Sequence, residues 1–478
     1  MLEVRFRRAP PDAAIPCVRP VAPGEGEFRA DAGQVHEPAA APRRVLVGIG
    51  AGGRLDLERA GAAAAAYLGE ARHAVLDARG LPPAAAAALA AGAALRAWRF
   101  DAHRTRDVAP GLARLTVLVD DIAAAREAWS LAGAAVRGCL FARDLVAAPA
   151  NELTTRSFAH RLERLSEFGI AVDVLGRKRL ERAGFGGLLA VGRAAATPPR
   201  LAVLRWRGTF DAPPVAFVGK GIVFDTGGVS IKPAGGMAAM RADMAGAAAC
   251  AGAMLALALR RSPAPAVAVL ALAENAVGAE SYRPGDVLRT LSGRTVEVVD
   301  TDAEGRLVLA DALHHAIAQF RPRAVVDLAT LTGAVVAALG HHRAGVFGDA
   351  ALAASLAAAG EATGETLWPL PIGERHRADL ASEIADLRQC VPSSRGEGGW
   401  AARFLPDASH AAAFLREFTG GTPWAHLDIA GVDTAEEPHA LGPAGPTGFG
   451  VRLLDAWVAA GFEEAERHAP LEKAKSAP

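Results

Sequence analysis

Two kinds of periodicity alternate along the chain. Between residues 43 and 140, Arg43–Gly50 (RRVLVGIG) reads as a buried strand, Leu57–Arg72 as an alanine-rich helix and His73–Asp77 as a second strand. Val117–Asp120 adds a strand and Ala123–Ala147 a long helix, and the turn signal APAN at 148–151 predicts a domain boundary. Beyond it, apolar runs at Leu201–Trp206, Val215–Val218, Ala266–Leu272, Ala324–Leu328 and His426–Ile429 are interleaved with helical patterns. Several are apolar throughout, as strands covered by helices on both faces tend to be. The pattern therefore predicts an α/β fold: a small N-terminal α/β domain over residues 1–147, then a larger three-layer α/β domain over 148–478 with a mixed, largely parallel sheet. Loops at the carboxyl ends of such strands are the expected place for a site. No internal repeat is present.

The longest apolar stretch, Met244–Leu259, has 16 residues and ends at Arg260-Arg261. Crossing a bilayer takes roughly 18 to 20, so it is expected to be a buried helix. The N-terminus, MLEVRFRRAPPDAAIPC, lacks the apolar core of a signal peptide. These readings predict a cytoplasmic protein with no membrane partner.

Composition narrows the choice further. The chain is 51% apolar and 22% charged, which is globular, and 52 basic residues balance 52 acidic ones, so no basic field points to nucleic acid. Cys17, Cys139, Cys250 and Cys390 lie far apart, which fits a reducing compartment rather than a disulfide framework. Only five basic residues are lysines: Lys178, Lys220, Lys232, Lys473 and Lys475. Gly48–Gly53 satisfies G-x-G-x-x-G after a strand, with Asp77 at the next strand end. A dinucleotide site would need the helix to begin right after the third glycine, whereas Arg54-Leu55-Asp56 intervenes with Asp56 as the expected cap. A glycine-rich turn is the plainer reading.

Two segments concentrate the remaining chemistry. Residues 218–232 read VGKGIVFDTGGVSIK and are followed by Arg241-Ala242-Asp243-Met244; residues 300–306 read DTDAEGR. Together they offer Lys220, Asp225, Lys232, Asp243, Asp302, Glu304 and Arg306, with no histidine. Hydrolytic cations held roughly 3.5 to 4 Å apart need a bridging carboxylate and further anionic ligands, and the four carboxylates here offset two dications. Oxygen ligation favours Mn²⁺ or Mg²⁺ on softness and leaves Zn²⁺ open on affinity. In an extended segment Asp302, Glu304 and Arg306 share one side. Leu309, Leu313, Ile317 and Phe320 then mark an amphipathic helix beginning just after the acidic pair, its positive end toward the carboxylates.

A lysine ligates a metal only when neutral, a state that a nearby dication favours and that arginine does not reach. Lys220 is the candidate ligand, and Lys232 would stay charged and stabilise an oxyanion. Singly, each feature has a plainer reading: DTDAEGR as an acidic turn capping a helix, Asp225 and Asp243 as caps or turn residues, the lysines as surface charges. Their joint occurrence favours a site.

VGKGIVFDTGGVSIK, MRADM and TDAEGRLVLADAL resemble the signature regions of the leucyl aminopeptidase or cytosol aminopeptidase family, peptidase family M17. The likeness runs from APANELT at 148 through ENAVGAESYRPGDV and DLATLTGA to WAHLDIAG at 424–431, and the N-terminal unit looks like the family's smaller α/β domain. The resemblance implies a metal-dependent aminopeptidase that releases N-terminal residues, leucine-like ones among them, from peptides, and that assembles as a homohexamer. By position, Asp225 and Glu304 would bridge two divalent ions, Lys220 and Asp243 would complete the tighter site, and Asp302 the exchangeable one. Lys232 would bind the scissile carbonyl oxygen, and Arg306 a bicarbonate acting as general base toward the attacking water. Met240, Thr330 and Gly333 would lie near the pocket for the first side chain, and Leu331 would give a main-chain contact.

Three departures from the family pattern stand out: Asp300 where asparagine is common, Ala245 in place of glycine, and ENAVGAESY at the segment beginning Glu274. A two-metal phosphoesterase would also use bare carboxylates, but the paired lysines weigh against it. Zero net charge weighs against a nucleic-acid-binding role.

Overall fold

The computed structural model describes residues 1–12, 15–23, 29–38, 44–106, 111–392 and 405–464. Its contacts gather the chain into two units, Met1–Ala147 with Thr434–Gly448, and Ala148–Asp433 with Phe449–Pro478.

The first unit is built on β1 (Glu3–Arg7), β2 (Cys17–Val21), β3 (Val35–His36), β4 (Arg44–Gly48), β5 (His73–Asp77) and β6 (Arg114–Leu118). They form one sheet in the order β1-β6-β5-β2-β4-β3, parallel throughout except for β3 against β4. β5 and helix Ile122–Ala147 fall where the alternation of apolar runs places them. The expected first strand begins at Arg43, which lies outside the described residues, as do Lys473 and Lys475. β1 and β2 carried no strand signal, because arginines and prolines interrupt their apolar positions.

The glycine turn differs from expectation in one detail. Helix Arg54–Tyr67 starts directly after Gly53, which is its N-cap, and Asp56 lies in its first turn. The Asp56 carboxylate reaches back to accept the Ala51 N–H at 3.2 Å, and Arg79 holds Asp77 through two bonds of 2.6 and 2.8 Å. The helix start therefore meets the condition that the sequence was expected to fail, and what the structure shows in its place is that the Ala51 N–H and the Asp77 carboxylate are each engaged by the chain's own Asp56 and Arg79.

The second unit contains β7 (Ala171–Leu175), β8 (Arg200–Trp206), β9 (Val215–Asp225), β10 (Ala266–Asn275), β11 (Val287–Arg289), β12 (Thr295–Glu297), β13 (Ala324–Ala329), β14 (Ala344–Gly348), β15 (Leu367–Pro369), β16 (Leu387–Arg388) and β17 (Trp424–Asp428). Eight of them make a mixed sheet in the order β15-β14-β17-β13-β9-β10-β8-β7, while β11, β12 and β16 make a small separate one. β17, β13, β9 and β10 run parallel in the middle, and reversals occur only at β8, β7 and β14.

Helices cover both faces. On β9, Ala216, Val218 and Ile222 join the core with Leu307, Leu309 and Leu313 of helix Glu304–Phe320. Phe217, pointing the other way, meets Trp457 of helix Val451–Val458 at 6.5 Å between ring centroids. The apolar helix Ala245–Leu259 is buried along nearly its whole length, as its composition requires.

β9 extends seven residues beyond the run expected from its apolar residues, because Gly219 and Gly221 look like turn signals but are packing positions. A Cβ on Gly219 would come within 2.5 Å of the Ala247 Cα, so the missing side chain is what lets helix Ala245–Leu259 lie close against the strand. The same approach brings Asp243, just before that helix, up to the sheet.

Candidate metal centre

Lys220 lies inside β9 and Asp225 ends it. They are five positions apart, so on a regular strand they would face opposite sides of the sheet. The pairing with β10 moves from Ala273↔Ile222 to Asn275↔Asp225, three steps on β9 against two on β10. That extra residue on β9 turns Asp225 to the Lys220 side, a use of bulges common beside active sites.

Asp243 follows the short 3₁₀ turn Met237–Ala242, and Asp302 lies in the turn before helix Glu304–Phe320. The helix begins at Glu304 itself, not after the acidic pair. Glu304 and Arg306 therefore diverge around the helix instead of lining one extended side, because a helix advances each residue by about 100°. Glu304 turns toward Lys220, whereas Arg306 turns to the Gln389 carbonyl and Asp407, each at 3.0 Å. Asp302 nonetheless converges with Asp225 and Glu304, one carboxylate oxygen of each lying within 4.8 Å of the others.

Two lysines interleave with these acids. Lys220, 3% exposed, donates to Asp243 at 2.7 Å and to the Thr330 carbonyl at 2.9 Å, and pairs with Glu304 at 2.9 Å. Lys232, 21% exposed, pairs with Asp302 at 2.5 Å and Asp225 at 3.0 Å. Burial alone would lower both lysine pKa values, but the surrounding carboxylates more than offset it and raise both above the ordinary range, so both amines are charged in this geometry. Burial pushes Glu304 up to about 8 and Asp243 up to about 7, with Asp225 adding to both and Lys220 opposing. Asp302 is raised too, first by burial, with Asp225 and Asp300 adding their charge. Asp300 also shapes the turn by accepting the Asp302 N–H at 2.9 Å.

The donor set suits hard divalent cations. Glu304 Oε2 and Asp243 Oδ2 are buried with no hydrogen-bond partner, so their lone pairs are available to a cation. Arg306 Nε is likewise buried and unpartnered, a donor suited to a small anion.

The residues expected near the first side chain come from two neighbouring segments. Met240 is half-buried in the turn Met237–Ala242, and Thr330, Leu331 and Gly333 follow β13. Thr330 supports the acids directly, its carbonyl accepting from Lys220 and its hydroxyl donating to Asp243 at 2.7 Å. The Leu331 N–H donates to Asp428 at 3.0 Å. Gly333 is exposed with open space above it. Lys178 is exposed on helix Arg177–Ala183, away from any such network.

Some neighbours of the acidic cluster were not anticipated. Asn275 and Tyr282 lie in ENAVGAESY, a segment legible from sequence only as a departure. Gln389 accepts the Val299 N–H at 2.7 Å and donates to the Ala303 carbonyl at 3.1 Å, clamping the acidic turn, yet nothing in its local sequence marks it. Gly305, between two charged residues, is where the Lys220 stem crosses the helix start.

Comparison with known proteins now bears on this arrangement. The family model for the cytosol aminopeptidase family, catalytic domain, matches residues 140–455. The chain belongs to the cytosol aminopeptidase family. It is 44% identical over 441 residues to a probable cytosol aminopeptidase of Brucella melitensis, covering 89% of this chain and 88% of that protein. A probable cytosol aminopeptidase of Gluconobacter oxydans is 45% identical over 374 residues, 78% of this chain and 74% of that one. Among solved structures, the bottromycin maturation enzyme BotP in complex with Mn superposes with a TM-score of 0.82 at 37% identity, covering 94% of this chain and 99% of that one. The family is one of hydrolases acting on peptides, and membership implies metal-dependent removal of N-terminal residues.

The Lys220 crossing gives a direct test. A Cβ on Gly305 would stand 2.6 Å from Lys220 Cε and 2.9 Å from Leu331 Cδ1, and a lysine pinned by three acceptors has nowhere to retreat. Gly305→Ala is expected to lower kcat/KM for a peptide substrate by about tenfold to a hundredfold while the protein stays folded. Steady-state kinetics beside circular dichroism checks this; unchanged kinetics would contradict the crossing.

Proposed function

We propose that this family member is a di-metal aminopeptidase in which Lys220, Asp225, Asp243, Asp302 and Glu304 would hold two divalent cations. The observation that carries the reading is the convergence of Asp225, Asp302 and Glu304 oxygens within 4.8 Å, interleaved with a buried lysine, Lys220, and a half-buried one, Lys232. Mn²⁺, Zn²⁺ and Mg²⁺ are the candidate ions, and the solved relative in complex with Mn supports the first. When bound, the ions supply Lewis acidity and a more acidic attacking water.

The chain's own groups take the remaining tasks. Lys220 would serve as a ligand in its neutral form, its proton passing to solvent, and Asp243 and Glu304, no longer paired with an ammonium, would be available as carboxylate ligands. Lys232, the more exposed lysine, donates to the scissile carbonyl oxygen as negative charge develops there. Arg306, through its unpartnered Nε, would hold a bicarbonate, whose chemistry there is that of a general base. Asp243 also receives the substrate's free amine, which restricts cleavage to the first residue. Met240, Thr330 and Gly333 border the pocket for that residue's side chain, leucine-like side chains among those accepted, and the Leu331 carbonyl binds the substrate backbone.

Residues 1–147 serve as an oligomer-associated domain and 148–478 as the catalytic domain of a homohexamer. Cytoplasmic residence is supported by the names of the relatives.

The reading is tested by chelating the purified protein and reloading it with Mn²⁺, Zn²⁺ or Mg²⁺ before assaying aminoacyl anilides and dipeptides. Release of the N-terminal residue only after reloading is expected; no turnover with any of the three ions would overturn the proposal. Lys232→Arg separates binding from chemistry. It should leave Mn²⁺ affinity within about threefold while kcat falls by about a hundredfold to a thousandfold, as for loss of an oxyanion donor. An unchanged kcat would refute the oxyanion role.

A further inference from the structure

Asp225 uses its two oxygens differently. Oδ1 accepts from the Gly227 N–H at 2.9 Å and from Asn275 Nδ2 at 2.8 Å, whereas Oδ2 faces Lys232 at 3.0 Å. Asn275 is fully buried at the end of β10, and the extra residue on β9 is what sets it opposite Asp225. Its amide makes a second bond, from Nδ2 to the Thr301 carbonyl at 3.0 Å. Its backbone carbonyl accepts both the Thr226 N–H at 3.0 Å and the Thr226 hydroxyl at 2.8 Å. One side chain therefore ties the end of β9 to the turn that carries Asp302.

Both partners of that amide are oxygens able only to accept, so only an NH₂ group serves, and the amide orientation is fixed. The consequence is visible on the other side, where Asn275 Oδ1 is buried without a partner. An unpaired buried acceptor sets a cost against the two bonds that the amide donates. The cost is explained by what the NH₂ does: it occupies Asp225 Oδ1 and leaves Oδ2 as the oxygen turned toward the site.

We propose that Asn275 is a positioning residue for metal capture, holding Asp225 Oδ1 and the Thr301 carbonyl so that Asp225 Oδ2 and the Asp302 turn meet at a fixed separation. This rests on the metal-binding reading above. Partners of ligating carboxylates in other metal sites change affinity by about 10- to 100-fold when removed.

The experiment is an equilibrium Mn²⁺ titration of the full chain, following the paramagnetic resonance signal of free Mn²⁺, with melting curves and peptidase assays alongside. Asn275→Leu keeps the volume and removes both donated bonds; Asn275→Ala removes volume as well. Tyr282→Phe deletes a different donor, the hydroxyl 2.8 Å from the same Thr301 carbonyl, and leaves Asn275 in place. Both Asn275 variants should bind Mn²⁺ about 10- to 100-fold more weakly, with part of the activity returning in excess Mn²⁺, while Tyr282→Phe stays within about threefold. Wild-type affinity in the folded Asn275 variants would overturn the inference. So would unfolding of both with Tyr282→Phe intact, which would make Asn275 a stability residue. Failure of the wild-type chain itself to bind Mn²⁺ would instead sink the metal-binding reading on which the inference stands.

Discussion

Three buried carboxylates and a fourth half-buried beside them are tolerable only if positive charge is placed between them. Here Asp225, Asp243, Asp302 and Glu304 crowd together, and Lys220 and Lys232 each divide a pair of them. The compensation is incomplete: Glu304 and Asp243 remain raised by burial, and one oxygen of each is left without a partner. A cluster held in this way is primed for exchange. Divalent cations, which bring more charge than an ammonium, would displace protons and fill the stranded lone pairs.

The rest of the second unit serves that arrangement. The parallel strands β9 and β13 end on the same side of the sheet, and each contributes there: Asp225 from β9, the Thr330 carbonyl and hydroxyl just past β13. The bulge on β9 puts Lys220 and Asp225 on one face, and the bare backbone at Gly219 and Gly305 lets a helix and a lysine stem pass where a side chain would block them. Gln389 fixes the acidic turn from a distant part of the chain.

Much of this was legible in the sequence because the chemistry is local. Both signature segments are short, the lysines are scarce, and the apolar runs of β8, β10, β13 and β17 are long enough to read as covered strands. What escaped reading depends on contacts that local patterns do not encode. The glycines of β9 resemble turn punctuation until the helix behind them is known. The side of the chain that Arg306 faces depends on whether the helix begins at Glu304 or two residues later, a difference that apolar periodicity does not resolve. Asn275 acts through a register shift, and a shift of register leaves no mark in composition or spacing. The glycine-rich turn after β4 shows the same limit, since Asp56 reads as a helix cap in the sequence but lies inside the first turn, with Gly53 as the cap.

The central claim is that the buried ammonium of Lys220 is exchanged for a cation. Calorimetric titration of the chelated protein with Mn²⁺ at pH 7, repeated in buffers of different ionisation enthalpy, counts the protons released on binding. Because Lys220 is held charged by Asp243 and Glu304, and a lysine ligates only when neutral, net release of at least about one proton per chain is predicted. Tight Mn²⁺ binding with no proton release would contradict it.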